Sequence, residues 1–174
     1  MPPKSPDPLD AARQEFLTQW GTLGPAWGVS RTMSQIHALL LVSRESMNTD
    51  EIMEALGISR GNAHTNITEL VSWGLLRRAP RKGERKEYFE AEKDVWRVVQ
   101  IITRERKRKE LQPVLETLDA CLERTRGLRD AEARAFRKQL REVQDFAKLA
   151  DRVMERVGSG KSGVILPWLL KFLG

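Results

Sequence analysis

One cysteine, Cys121, occurs in 174 residues. That excludes an internal disulfide and any metal site built on several thiolates. Histidine is almost as scarce, with only His37 and His64, so no histidine-based metal centre is expected, nor any cofactor. Aromatic residues make up 6% and Tyr88 is the single tyrosine. No apolar run approaches the ~20 residues that cross a bilayer, so no membrane partner is expected. The opening Met-Pro-Pro-Lys-Ser-Pro-Asp-Pro lacks the apolar core of a signal peptide. Neither histidine stands in a catalytic signature, and no serine, histidine and aspartate share a motif context. The chain reads as a cytoplasmic protein from a reducing compartment, with no catalytic residues.

What is present suits a folded protein with an anionic partner. Hydrophobic residues reach 40%, enough for a core. Lys+Arg 30 against Asp+Glu 24 gives a net charge of +6, a bias towards polyanions.

The periodicities predict a mainly α chain. Asp7-Pro8 reads as an N-cap followed by proline at the first helical position. Phe16, Trp20 and Leu23 then mark one helical face, which Gly24-Pro25 breaks. A second helix is expected over 30–43, with Met33, Ile36, Leu40 and Leu41 on one side. Residues 46–49 read as a loop. Asn48 or Thr49 caps a third helix ending near Leu56, and Asp50 and Glu51 suit its positive N-terminal end. Ser59 caps a fourth helix that buries Ala63, Ile67, Leu70 and Val71 and stops at Gly74. Strands are expected at 75–79 and 85–91, around a turn at 80–84.

Helical period returns near Asp94. Pro113 is expected to kink this long helix and Gly127 to end it. A last helix over 130–157 places Phe136, Leu140, Val143, Ala147, Ala150, Met154 and Val157 at alternating steps of four and three, a heptad seam. Residues 1–6 read as a disordered tail, 158–163 as a flexible linker and 164–174 as an apolar tail. Three regions follow: 1–29, a tail and a helix; 30–92, a domain of helices and a hairpin; 93–174, a helical region with an apolar C-terminal tail.

Helix, helix, short turn, helix and two-stranded hairpin over 30–92 form the order of a winged helix-turn-helix. A helix that enters the major groove needs one apolar face on its own domain and one short polar face on base edges. At about 100° per residue, Ala63, Ile67, Leu70 and Val71 face inward. Gly61, Asn62, Thr65, Thr68 and Glu69 fall opposite. Asn62 suits an adenine edge and Glu69 a cytosine amine. Arg60 and Asn66 lie on the flanks, where phosphates run, and His64, also on a flank, suits a phosphate or a base; Ser59, the cap, completes the DNA-binding set on this helix. The hairpin concentrates Arg77, Arg78, Arg81, Lys82, Arg85 and Lys86 against Glu84 and Glu87. Arg85, next to the tip glycine, is the choice for the adjacent minor groove.

These residues resemble the MarR-like winged-helix regulators, and most closely the GbsR branch of choline-sensing repressors. The resemblance is carried by Asn48-Thr49-Asp50-Glu51-Ile52, by Leu56-Gly57-Ile58-Ser59-Arg60-Gly61-Asn62, by Thr65-Asn66-Ile67-Thr68-Glu69-Leu70 and by Trp73-Gly74-Leu75-Leu76. The wing Gly83-Glu84-Arg85-Lys86-Glu87-Tyr88 is similar to the family's Gly-Asp-Arg-Arg tip, with glutamate in place of aspartate. The likeness spans about 10–125. It implies a homodimeric repressor on a pseudopalindromic double-stranded DNA operator, tuned by a small-molecule effector, with 1–29 and 93–174 as the dimerisation regions and 30–92 as the DNA-binding domain. Trp20, Trp27 and Trp96 are the candidates for a cation-binding aromatic pocket, although core or dimer packing suits each of them. Two other function classes remain: a winged-helix protein-interaction module, and a non-specific DNA-packing protein. The basic run 104–109 reads as a solvated helix surface, and Cys121 as a buried structural thiol.

Overall fold

A computed structural model describes residues 7–160. The segments read as a disordered N-terminal tail and an apolar C-terminal tail lie outside the described residues. The chain divides into two compact units, 1–94 and 95–174.

The first unit begins with α1 (Pro8–Leu23), capped by Asp7, whose carboxylate accepts from Leu9 N at 3.0 Å. Gly24 and a 3-10 turn at Pro25–Trp27 end it, as the Gly-Pro pair requires. α1 then lies along α2 (Arg31–Val42). The approach is close: a Cβ at Gly21 would collide with the Gln35 side chain, and one at Gly24 with Ser34. The helix set apart in sequence as 1–29 therefore shares a compact unit with the wing. Ser30 caps α2 through Met33 N at 3.0 Å. Lys93 closes its other end, donating to the carbonyls of Leu40, Leu41 and Ser43 at 2.7 Å each. A cation there complements the negative end of the helix.

α3 (Thr49–Leu56) carries a full capping box: Asn48 Oδ1 accepts from Asp50 N and Glu51 N, and Glu51 Oε2 accepts from Asn48 N. α4 (Arg60–Trp73) starts at the Ser59 cap and stops at Gly74, whose φ of 85° a side chain would strain. Ile36, Ala38, Leu40, Ile52, Ala63, Ile67 and Leu70 form the core between α2, α3 and α4.

The sheet has three strands where two were expected. β1 (Met47–Asn48), in the segment read as loop, pairs antiparallel with β3 (Tyr88–Ala91), and β2 (Leu76–Arg78) pairs with the other edge of β3. Both hairpin strands are shorter than their sequence pattern. Arg85, Lys86 and Glu87 stay outside the ladder.

The second unit contains α5 (Val95–Arg106), a π-helical turn (Lys107–Leu111), α6 (Gln112–Arg124) and α7 (Ala131–Gly158). The disturbance expected at Pro113 takes the form of that π turn. Proline lacks an N–H and crowds the carbonyl four residues back, that of Lys109. Just ahead of it, Gln112 N donates five residues back, to Lys107 O. α6 ends at Arg124, ahead of Gly127, with Thr125 as its cap. The heptad seam of α7 divides. Ala147 is buried and Leu140, Ala150, Met154 and Val157 are half-buried, whereas Phe136 and Val143 are exposed beside Phe146, Leu149 and Val153. The buried side of α7 also carries polar Gln144, which donates to Asp119 at 2.5 Å. Cys121 is half-buried, short of the burial expected. The basic run is held by local acids: Lys107 pairs with Asp151 at 3.2 Å and Glu155 at 2.6 Å, and Arg108 with Glu105 at 2.6 Å.

Candidate nucleic-acid interface

α4 presents Gly61, Asn62, His64, Thr65 and Thr68 to solvent, while Ala63, Ile67 and Leu70 anchor it to the core. Of the two faces counted from the sequence, Ala63, Ile67 and Leu70 turn inward and Gly61, Asn62, Thr65 and Thr68 outward, whereas Val71, expected inward, is half-buried. Glu69 is half-buried and has a partner. Ser59 is exposed, and its hydroxyl accepts from Asn62 N at 3.4 Å, the N-cap role.

Asn66 is a correction. Expected on a phosphate-facing flank, it is 7% exposed. Ser30 Oγ donates to its Oδ1 at 2.7 Å, and its Nδ2 donates to Asn62 O at 2.8 Å and Asn62 Oδ1 at 2.7 Å. A buried amide must find such partners, and Asn66 finds them on α2 and on its own helix. Asn62 continues the chain, donating from Nδ2 to Thr32 Oγ1 at 3.2 Å. Ser30, Asn66, Asn62 and Thr32 thus tie α4 to the start of α2. Asn62 stays exposed, but pairing with an adenine edge competes with bonds it already makes.

The cations sort into three groups. Arg81 buttresses the root of the wing: it donates to Ser46 O at 2.7 Å, pairs with Glu45 at 3.1 Å and lies 4.3 Å over the Tyr88 ring. Its guanidinium is half-buried and held in place, unlike the free wing cation the sequence suggested. Arg60 and Lys86 meet on one carboxylate, Asp50, at 2.5 and 3.1 Å. Lys82 and Arg85 are exposed at the tip and have no hydrogen-bond or ion-pair partner among the described residues. Glu84, the tip acid, accepts from the Tyr88 hydroxyl. Further down, Arg77 pairs with Glu90 at 2.9 Å and Arg78 with Glu87 at 3.0 Å.

Sequence reasoning missed Asp50 and Thr32 as parts of this surface. Asp50 reads locally as a helix-dipole residue, and only the fold brings Lys86 to it.

The aromatic candidates pack together in part. Trp20 meets Trp27 edge-on, with ring centroids 5.3 Å apart, and Phe16 in a tilted contact at the same distance. Trp96 belongs to the second unit and is exposed.

A polar helix over a buried core, beside a short hairpin with bare cations at its tip, decides the fold type. Residues 27–87 match the family model of the MarR family. That stretch is similar to the winged helix-turn-helix of the MarR family. The putative HTH-type transcriptional regulator YvaV of Bacillus subtilis (strain 168) is 25% identical over 93 residues, 52% of this chain and 52% of that protein. The HTH-type transcriptional regulator MmpR5 of Mycobacterium tuberculosis (strain ATCC 25618 / H37Rv) is 26% identical over 141 residues, 80% of this chain and 81% of that protein. The chain thus spans about half the length of the first relative and most of the second. A crystal structure of a transcriptional regulator superposes with a TM-score of 0.67 at 24% identity, covering 87% of this chain and 98% of its own, and supports the fold. Among the described residues, no helix is long and apolar enough to cross a membrane.

Proposed function

We propose that this MarR-type, DNA-binding transcriptional regulator is a homodimeric, sequence-specific repressor tuned by a small molecule and acting in the cytoplasm. The observation that carries the reading is one surface: the exposed His64, Thr65 and Thr68 of α4 beside the unpartnered Lys82 and Arg85 of the wing tip. Short polar side chains allow close approach to base edges, and bare cations at a hairpin tip suit the backbone or a narrow minor groove. Base reading falls to Thr65 and its neighbours. Arg60, Arg85 and Lys86 hold the backbone. Repression follows where the operator overlaps a promoter and excludes polymerase.

The exposed apolar face of α7 supports pairing with a second copy, and two winged heads then read a pseudopalindrome. Within the family, the residues from Asn48 to Tyr88 favour the GbsR branch. An effector acts only by binding two head spacings with different affinity.

Selection of bound duplexes from a random pool at physiological salt tests this. An enriched inverted repeat, bound ~10³-fold or more above random duplex, is the expected result. Binding without enrichment would point to DNA packing, and no binding to a protein-docking module.

A further inference from the structure

Asp50 stands between the two elements that face DNA in this reading. It is the second residue of α3, and its side chain is about half exposed. Its Oδ1 accepts from the guanidinium of Arg60, the first residue of α4, at 2.5 Å. Its Oδ2 accepts from the ammonium of Lys86, in the wing just ahead of β3, at 3.1 Å. One carboxylate divides its oxygens between the recognition helix and the wing. A DNA phosphate offers the same pattern: one negative charge over two free oxygens. The Lys86 hydrogen bond, and then the Arg60 charge, hold the Asp50 carboxyl below the usual carboxylate range. Asp50 in turn raises Lys86. Lys82 and Arg85, a few residues away, have no such acid among the described residues.

We propose that Asp50 is a specificity-determining residue: an internal stand-in for a DNA phosphate that pre-orders Arg60 and Lys86 and repels loosely bound backbone. The proposal rests on the DNA-binding reading above. Asp50 acts on any duplex in two opposing ways. Its charge repels the phosphates, and its hydrogen bonds fix the two cations before DNA arrives. A seated operator gains from the second effect, because ordered cations lose less freedom on binding. Arginine has five donors and the ammonium three, so both can bridge Asp50 and a phosphate in one fixed geometry. A random duplex, held mainly by phosphates and free to slide, has no fixed geometry and feels mainly the repulsion. Asp50 therefore works against the wrong partner more than for the right one.

The test uses the full chain with two probes, the enriched duplex from the selection and a random duplex of equal length. Asp50→Asn keeps the backbone N–H that Asn48 caps and removes the charge. It is expected to tighten random-duplex binding about tenfold at low salt, to steepen its salt dependence by about one unit per subunit, and to leave the enriched duplex within about threefold of wild type. The ratio between the two then falls. Asp50→Glu is expected to keep the wild-type ratio. In a background of Arg60→Gln with Lys86→Gln, Asp50→Asn is expected to leave the ratio where it stands. An unchanged ratio for Asp50→Asn would overturn the role of Asp50, and so would an equal fall in the doubly substituted background. A wild-type chain that bound neither duplex would instead overturn the DNA-binding reading itself.

Discussion

In the unit that ends at Asp94, Ile36, Leu40, Ile52 and Leu70 are all but sealed from solvent. In the unit that begins at Val95, Phe146 is 72% exposed, and Leu149 and Val153 stand in the open beside it. The first unit closes a core on itself. Among its described residues, the second lays three helices together, buries little beyond Ile101, Leu118, Ala133 and Ala147, and leaves Trp96 and Phe146 uncovered. The contrast is in what each must hold still. In the reading proposed above, the base-reading helix has to sit on a rigid base within its own subunit, which suits α4, and the helix that joins two copies is finished by the other copy, which suits the exposed face of α7.

The comparison breaks first where cavities are made. Leu70→Ala should cost the winged unit about 2–5 kcal/mol, measured by denaturant unfolding, whereas Val153→Ala should stay within about 0.5 kcal/mol for the monomer. Equal losses would erase the distinction between the units.

Acid should act on the closed unit through His37. It is buried, its Nε2 has no hydrogen-bond partner among the described residues, and burial with Lys93 nearby lowers its pKa from 6.5 to about 4. The unfolded chain takes up a proton on this residue before the folded one does. Stability is whole above pH 6.5 and falls as pH drops towards 4, by up to about 3 kcal/mol. His37→Gln should flatten that profile in pH-dependent unfolding. A profile equally steep without His37 would refute its part.

The open unit is sharpened by charge. Phe146→Glu should weaken self-association about tenfold, ~1.4 kcal/mol, by sedimentation, while helix content holds. Unaltered association would remove this face from the interface. The smallest effect belongs to the wing tip. Arg85→Ala should lower the salt slope of DNA binding by about one unit per subunit, with stability unchanged within about 0.5 kcal/mol.

What was legible in the sequence is what local chemistry decides. Asp7, Ser30, Ser59 and Asp130 accept from backbone N–H groups within their own first turns, and each marks a helix start. Gly74 marks a stop for the same local reason. β1 was not legible because two residues carry no period. Its existence depends on Tyr88 and Phe89 arriving opposite Asn48 and Met47. The inward turn of Asn66 depends on Ser30, thirty-six residues away. A helical wheel places Asn66 at the edge of the apolar face and says nothing of that hydroxyl. On α7 the spacing was read as one stripe. In the fold Ala147 faces its neighbours and Phe136 and Val143 face outwards, because the helix carries apolar residues on two sides. Asp50 combines both limits: its place at a helix start is local, and its bond to Lys86 is not.

The π turn at Lys107–Leu111 counts, in helical phase, as one extra residue between α5 and α6. One residue is worth about 100° of rotation. The wide turn absorbs that residue, so deleting a single position there would let the turn close to an ordinary α-helical one and leave Leu118 in the core it fills. The same deletion a turn later, within α6 ahead of Leu118, has no bulge to draw on and would turn Leu118 outwards. A one-codon deletion should therefore be cheap in this segment and dear just beyond it.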